Sequence, residues 1–122
     1  MKETAKGLYQ FWTGFGIPAY PENAVPDDAA LPYITYELIE PNWRDSSPYY
    51  ARIWYRDPSY VGITTKCDEV ADAIGEGKRL VIEDGYVYLF KDQTFIQFQP
   101  VEANDELVKV AYLQMICHVL RA

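Results

Sequence analysis

The residues of this chain that could do chemistry are few: one histidine, His118, two cysteines, Cys67 and Cys117, and the adjacent carboxylates Asp27-Asp28, Asp68-Glu69 and Asp105-Glu106. A Cys–His nucleophile needs thiol and imidazole within hydrogen-bond reach. Cys117 and His118 are sequence neighbours, and on a strand neighbours point to opposite faces. Hydrolytic acid–base chemistry needs two separated carboxylates converging on a cleft, whereas Asp68-Glu69 and Asp105-Glu106 each stand near the start of an element, where helix-dipole compensation and solvation account for them. One histidine and two cysteines lack zinc-ligand spacing, and "DPSYVGITTKCDE" lacks the alternating acidic ligands of a calcium loop. Gly14/Gly16 and Gly75/Gly77 are GxG fragments, but both follow predicted helices, so they read as caps rather than phosphate cradles. No catalytic, cofactor-binding or metal-binding residue is assigned, and the chain is expected not to be an enzyme.

The elements that would position these groups fit one α+β domain over residues 1–122. Apolar residues make up 49% of the chain and aromatic residues 16%, which argues against disorder. The formal charge of −7 argues against an outward-facing nucleic-acid surface, which needs a basic footprint. The start "MKETAKGLYQFW" carries no apolar signal-peptide core, and no apolar run reaches membrane-spanning length. With no CxxC spacing, Cys67 and Cys117 are expected to be buried, reduced thiols.

Leu8, Phe11, Trp12 and Phe15 form a helical stripe in a helix predicted from Glu3 to Gly14. Val25 to Pro32 reads as an extended lead-in between prolines. Tyr33 to Glu40 is a predicted strand with Ile34, Tyr36 and Leu38 on one face. The polar loop "PNWRDSSP" leads to a returning strand, "YYARIWYRD", with Tyr49, Ala51, Ile53 and Tyr55 inward and Arg52 and Arg56 outward. A second helix carries Cys67, Val70, Ala71 and Ile74, capped by Thr64 or Thr65 and stopped by Gly75 or Gly77. A hairpin turns at Asp84-Gly85, "KDQ" reads as a further tight turn, and "TFIQFQP" as a strand after it. In the last segment Ala111, Leu113, Met115, Cys117 and Val119 alternate, which favours a strand over the alternative helix. The expected fold class is thus α+β, an antiparallel or mixed sheet with two helices packed on it.

Surface remains as the place for function. Trp43 and Arg44, followed by Asp45, sit in an otherwise polar loop, and Trp with Arg is typical of interface hot spots. The alternative is that Trp43 folds back on the sheet edge. Tyr86, Tyr88 and Phe90 make one face of a strand aromatic while Val87 and Leu89 make the other apolar. Such a strand wants cover on both sides, from this chain alone or from a neighbouring subunit.

Taken in order, "GLYQFWTGF", "VPDDAALPYITYEL", "IWYRDPS" and "CDEVADAIG" resemble the tail terminator, or tail-to-head joining, proteins of long-tailed bacteriophages and prophages, over most of the chain from Leu8 onward. The resemblance implies a small α+β structural subunit of the virion, assembled in the host cytoplasm. It also implies a homo-oligomeric, usually hexameric, ring that caps the tail tube protein and meets the head connector or completion proteins. DNA would pass through the lumen without specific binding, and no membrane would be involved. The family brings no catalytic residues. The "PNWRDSSP" loop, with Trp43, Arg44 and Asp45, is the implied contact arm. A head-completion or neck component, and a small acidic inhibitor or DNA-mimic module, are the alternatives.

Overall fold

The computed structural model describes residues 1–42, 45–99 and 105–121. Its elements in chain order are α1 (Lys2–Trp12), a 3-10 turn (Thr13–Phe15), β1 (Ala19–Pro21), β2 (Tyr33–Tyr36), β3 (Ser46–Arg56), α2 (Val61–Ile74), β4 (Lys78–Ile82), β5 (Gly85–Gln99) and β6 (Val108–Arg121). The strands form one six-stranded sheet in the order β1-β2-β3-β6-β5-β4. All neighbours are antiparallel except β1 and β2. The class is α+β, with the sheet strongly curled into a half-barrel around its apolar side.

The last segment is a strand, as its alternation predicts, and it lies at the centre of the sheet. Ala111, Leu113, Met115, Cys117 and Val119 are all buried, while Tyr112, Gln114, Ile116 and His118 on the other face are partly exposed. Register transmits this choice of face outward. Ala51 and Ile53 lie opposite Leu113 and Ala111, and Val87 and Leu89 lie opposite Val119 and Cys117. All four are fully buried. Leu8 and Trp12 of α1 and Ile63, Cys67, Val70 and Ile74 of α2 complete the same cluster, so both helices fill the inner side of the sheet.

Several local expectations are corrected. Helix α1 ends at Trp12, and the stretch to Gly14 tightens into the 3-10 turn. Residues Ala19–Pro21 form a short parallel strand where no strand is predicted. Strand β2 stops at Tyr36, leaving Leu38 exposed, and β3 begins at Ser46, inside the predicted loop. Helix α2 starts at Val61 rather than at Thr64 or Thr65, because side-chain turns open it: Asp57 Oδ1 accepts the Ser59 N–H at 2.7 Å, and Ser59 Oγ accepts the Val61 N–H at 3.0 Å. The Thr64 and Thr65 hydroxyls instead donate back to the Tyr60 and Val61 carbonyls, at 2.7 Å each. Gly75, at φ 55°, does end the helix.

The "KDQ" stretch is the largest correction. It is not a turn between two strands but a bulge within β5, which stays paired with β6 on both sides of it. Between Lys91 and Ile96, five positions of β5 advance against two of β6. The excess is odd, so the inward set changes from Val87 and Leu89 to Ile96 and Phe98. The β4–β5 hairpin turns over Glu83 and Asp84, with Gly85 as the first strand residue at φ 156°. A Cβ on Gly85 would come within 1.9 Å of the Leu120 carbonyl oxygen, so only glycine fits there.

One buried hydrogen-bond chain ties α1 to the sheet. The Trp12 Nε1–H donates to Tyr49 Oη at 3.1 Å, and the Tyr49 hydroxyl donates to the Glu37 carbonyl at 2.9 Å. Trp12 and Tyr49 are 0% and 1% exposed. Replacing Tyr49 by phenylalanine keeps the ring but leaves the indole N–H and the carbonyl without this partner. The expected loss is about 1–3 kcal/mol of unfolding free energy, read from urea denaturation midpoints at constant slope.

Candidate interaction surface

Because the helices occupy the inner side of the sheet, the outer side carries whatever surface the strands present. The outward residues of β3 are Tyr50, Arg52, Trp54 and Arg56, and alternation extends this face to Tyr112 on β6 and to Tyr20 and Tyr33 at the β1–β2 edge. These side chains touch. Tyr20 packs edge-on against Tyr33, and Tyr33 lies against Trp54. The Trp54 indole N–H donates to Thr35 Oγ1 at 2.9 Å. The Tyr50 and Tyr112 rings lie 5.3 Å apart, and the Arg52 guanidinium sits beside this pair, 5.0 Å from each ring centre. Glu22 approaches the same arginine at 3.7 Å and accepts the Tyr50 hydroxyl at 3.1 Å.

At the other end of the face, Tyr86, Tyr88 and Phe90 form a second aromatic row on β5, with Tyr88 stacked on Phe90 at 6.1 Å between centroids and 5° between planes. Register sets them opposite Leu120, His118 and Ile116 of β6, and Val81 of β4 lies opposite Tyr86. Val81 is 71% exposed, and Tyr86, Phe90 and Leu120 are 38–39% exposed. The predicted aromatic row is therefore brought together on one face, and the helices cover only its opposite side, at Val87 and Leu89. Asp45 is exposed at the foot of β3. Trp43 and Arg44 lie outside the described residues, as does Pro100 at the end of the predicted "TFIQFQP" strand.

Sequence reasoning leaves out Tyr112, Ile116, Leu120 and Val81. Their contribution needs the strand order, which puts β6 between β3 and β5 and β4 at the rim. Period-two alternation in β6 is the signal that could have found the first three.

The other chemically capable groups are dispersed. Asp27 and Asp28 are exposed in the lead-in, and Asp68 and Glu69 are exposed on α2. His118 is on the outer face, opposite Ser46 and Tyr88, while Cys117 is buried on the inner face. No group of three or more His, Cys, Asp or Glu side chains among the described residues is close enough to hold a metal ion. No helix among them is long and apolar enough to cross a membrane.

An ion cluster joins the ends of the described fold. Arg121 pairs with Glu40 at 2.5 Å and with Asp84, and the same Glu40 oxygen accepts from Thr4 at 2.9 Å. Burial raises the Glu40 pKa, but the bonds from the Met1 amino group, Arg121 and Thr4 outweigh it and hold the carboxyl below its usual value. A carboxylate depressed in the folded state contributes stability above its unfolded pKa and loses it as pH falls through the folded one. Stability is therefore expected to fall as pH drops below about 4.5, the ordinary value of this group. Glu40→Gln is expected to flatten that part of the profile, measured as urea midpoints between pH 7 and pH 3.

Burial pushes the thiols of Cys67 and Cys117 up to about 11 and about 12. At pH 8 the thiolate fraction of Cys67 is then roughly a thousandth. Neither cysteine is expected to react with a thiol reagent in the native protein, and both are expected to react fully in denaturant. Comparison with family models, with curated proteins and with solved structures finds no match.

Proposed function

We propose that this protein is a structural subunit of virion assembly, of the tail-terminator kind, which closes into a homo-oligomeric ring on the end of a phage tail tube and meets the head connector. The observation that carries this reading is the outer face of the sheet: aromatic from rim to rim, uncovered by either helix, and chemically different at its two ends. One end offers Arg52 against the Tyr50–Tyr112 pair, with Tyr20, Tyr33 and Trp54 nearby. The other offers Tyr86, Phe90 and Leu120. A closed ring repeats one heterologous contact by rotation, so each copy needs two unlike patches. Exposed tyrosines and a planar arginine suit such contacts, since they supply amphipathic area at the centre of an interface. The net charge of −7 suits a ring whose lumen repels phosphate, so that DNA passes without sticking.

The test is tube growth. Purified tail tube protein of a long-tailed phage is polymerised with and without this chain, and tube lengths are measured by negative-stain microscopy. Addition is expected to stop elongation and leave a ring at one tube end. A Tyr86→Ser/Phe90→Ser variant with an unchanged circular dichroism spectrum is expected not to stop it. Unchanged length distributions with the wild-type chain would overturn the reading.

A further inference from the structure

The two rims of the sheet differ in a way the ring reading does not use. At the β1 rim, β1 has three residues, and the Glu22 N–H and the Pro18 carbonyl are bonded to β2. Parallel pairing therefore turns Ala19 and Pro21 outward. Pro21 has no N–H, and its carbonyl accepts from Ala24 at 2.9 Å. That rim is closed to a further strand.

The β4 rim is open. A two-residue loop makes Ile82 and Gly85 a hydrogen-bonded pair, so Lys78, Leu80 and Ile82 turn their N–H and C=O groups to β5. Arg79 and Val81 turn theirs away from the sheet, toward no other strand. The rim carries neither a proline nor a bulge. Val81 is the most exposed of the exposed large apolar side chains of the described fold. Clefts of about 410 Å³ and 380 Å³, both lined by Val81 and by Gly7 and Gln10 of α1, lie along it.

The residues of this rim read Lys78-Arg79-Leu80-Val81-Ile82-Glu83-Asp84. Charge reverses about Val81: two cations, an aliphatic residue, valine, an aliphatic residue, two anions. We infer that the β4 rim docks on the β4 rim of a second copy, antiparallel about a two-fold axis through Val81. In that register Val81 lies opposite Val81, and Arg79 of each copy comes to the start of the other's hairpin turn, at Glu83. The Val81 N–H and C=O bond across the axis in both directions, satisfying the open rim. Asp84 is held by Arg121, so its pairing with Lys78 is not counted. Arg79 stands over the Tyr86 ring at 4.9 Å, on the outer face. Among the described residues neither Arg79 nor Glu83 has an ion-pair partner within the chain, although the chain has more acidic than basic residues. Parallel pairing would set Arg79 beside Arg79. An antiparallel slip of two residues would set Arg79 opposite Val81. Charge therefore selects both the direction and the register, and the isologous symmetry makes the contact self-limiting at two copies.

This pairing is independent of the ring, and the test separates the two. Mass is measured by light scattering on the full chain in the absence of tail tubes, at low salt and over a concentration series. The wild-type chain is expected at about twice its 14.1 kDa mass. Arg79→Glu and Glu83→Arg are each expected to weaken the dimer by about tenfold or more, because each puts two like-charge pairs across the axis. Mixing the two variants in equal amounts is expected to restore it, since the first then offers only anions and the second only cations at those positions. Val81→Pro removes an outward N–H that no intrachain strand uses, and is expected to give a monomer with an unchanged circular dichroism spectrum. A monomeric wild type, a ring-sized mass indifferent to both charge reversals, or a failure of the mixture to restore the dimer would overturn the pairing.

Discussion

Period-two alternation along β6 is the constraint on which the rest of the molecule depends. β6 is paired with β3 along one side and with β5 along the other, so its choice of face becomes the choice of face for the whole sheet. Five inward residues of β6 form a continuous apolar line, and shifting its register by one would put that line in water. Everything else follows as cover: α1 and α2 both pack on this inner line. The Trp12–Tyr49–Glu37 chain then fixes α1 through a buried indole–hydroxyl bond and a part-buried carbonyl.

What is left outside is as much a product of this constraint as the core. A chain with two helices and a six-stranded sheet has enough helix to cover one face. The outer face must then be stable in water by itself or be covered by another molecule. Its aromatic residues pack laterally on one another and on Arg52, which reduces the apolar area each presents to solvent. The rings around Arg52 are partly buried, whereas Val81, Tyr86 and Phe90 are exposed, so the two ends differ in how much they gain from a partner.

The parts of the fold that depend on local spacing were legible in the sequence. The stripe Leu8-Trp12 and the alternation of Tyr49, Ala51 and Ile53 each state a buried face without reference to anything distant. The parts that depend on pairing were not. A three-residue parallel strand at Ala19–Pro21 carries too little pattern to be seen before β2 is beside it. "KDQ" has the composition of a turn because a bulge uses the same polar, exposed residues, and only the continuous register with β6 separates the two. Helix α2 begins at Val61 because Asp57 and Ser59 fold the chain ahead of it, while the threonines that look like caps spend their hydroxyls on carbonyls behind them. The aromatic row Tyr86, Tyr88 and Phe90 was legible as one face, whereas the contact of Arg52 with the Tyr50–Tyr112 pair joins two strands and could be read only from their register. Strand order is likewise absent from local pattern, so nothing in "KRLVIED" announces that it lies on a rim.

The bulge from Lys91 to Phe95 sets Phe95 against the core and changes the parity of β5. An excess of one or of five residues there would send the same side chains to the same sides of β5. An excess of two or four would turn Ile96 and Phe98 outward and bring Gln97 and Gln99 against the helices. The segment is thus the place where β5 changes which of its alternate residues share a side with Leu113 and Ala111 of β6.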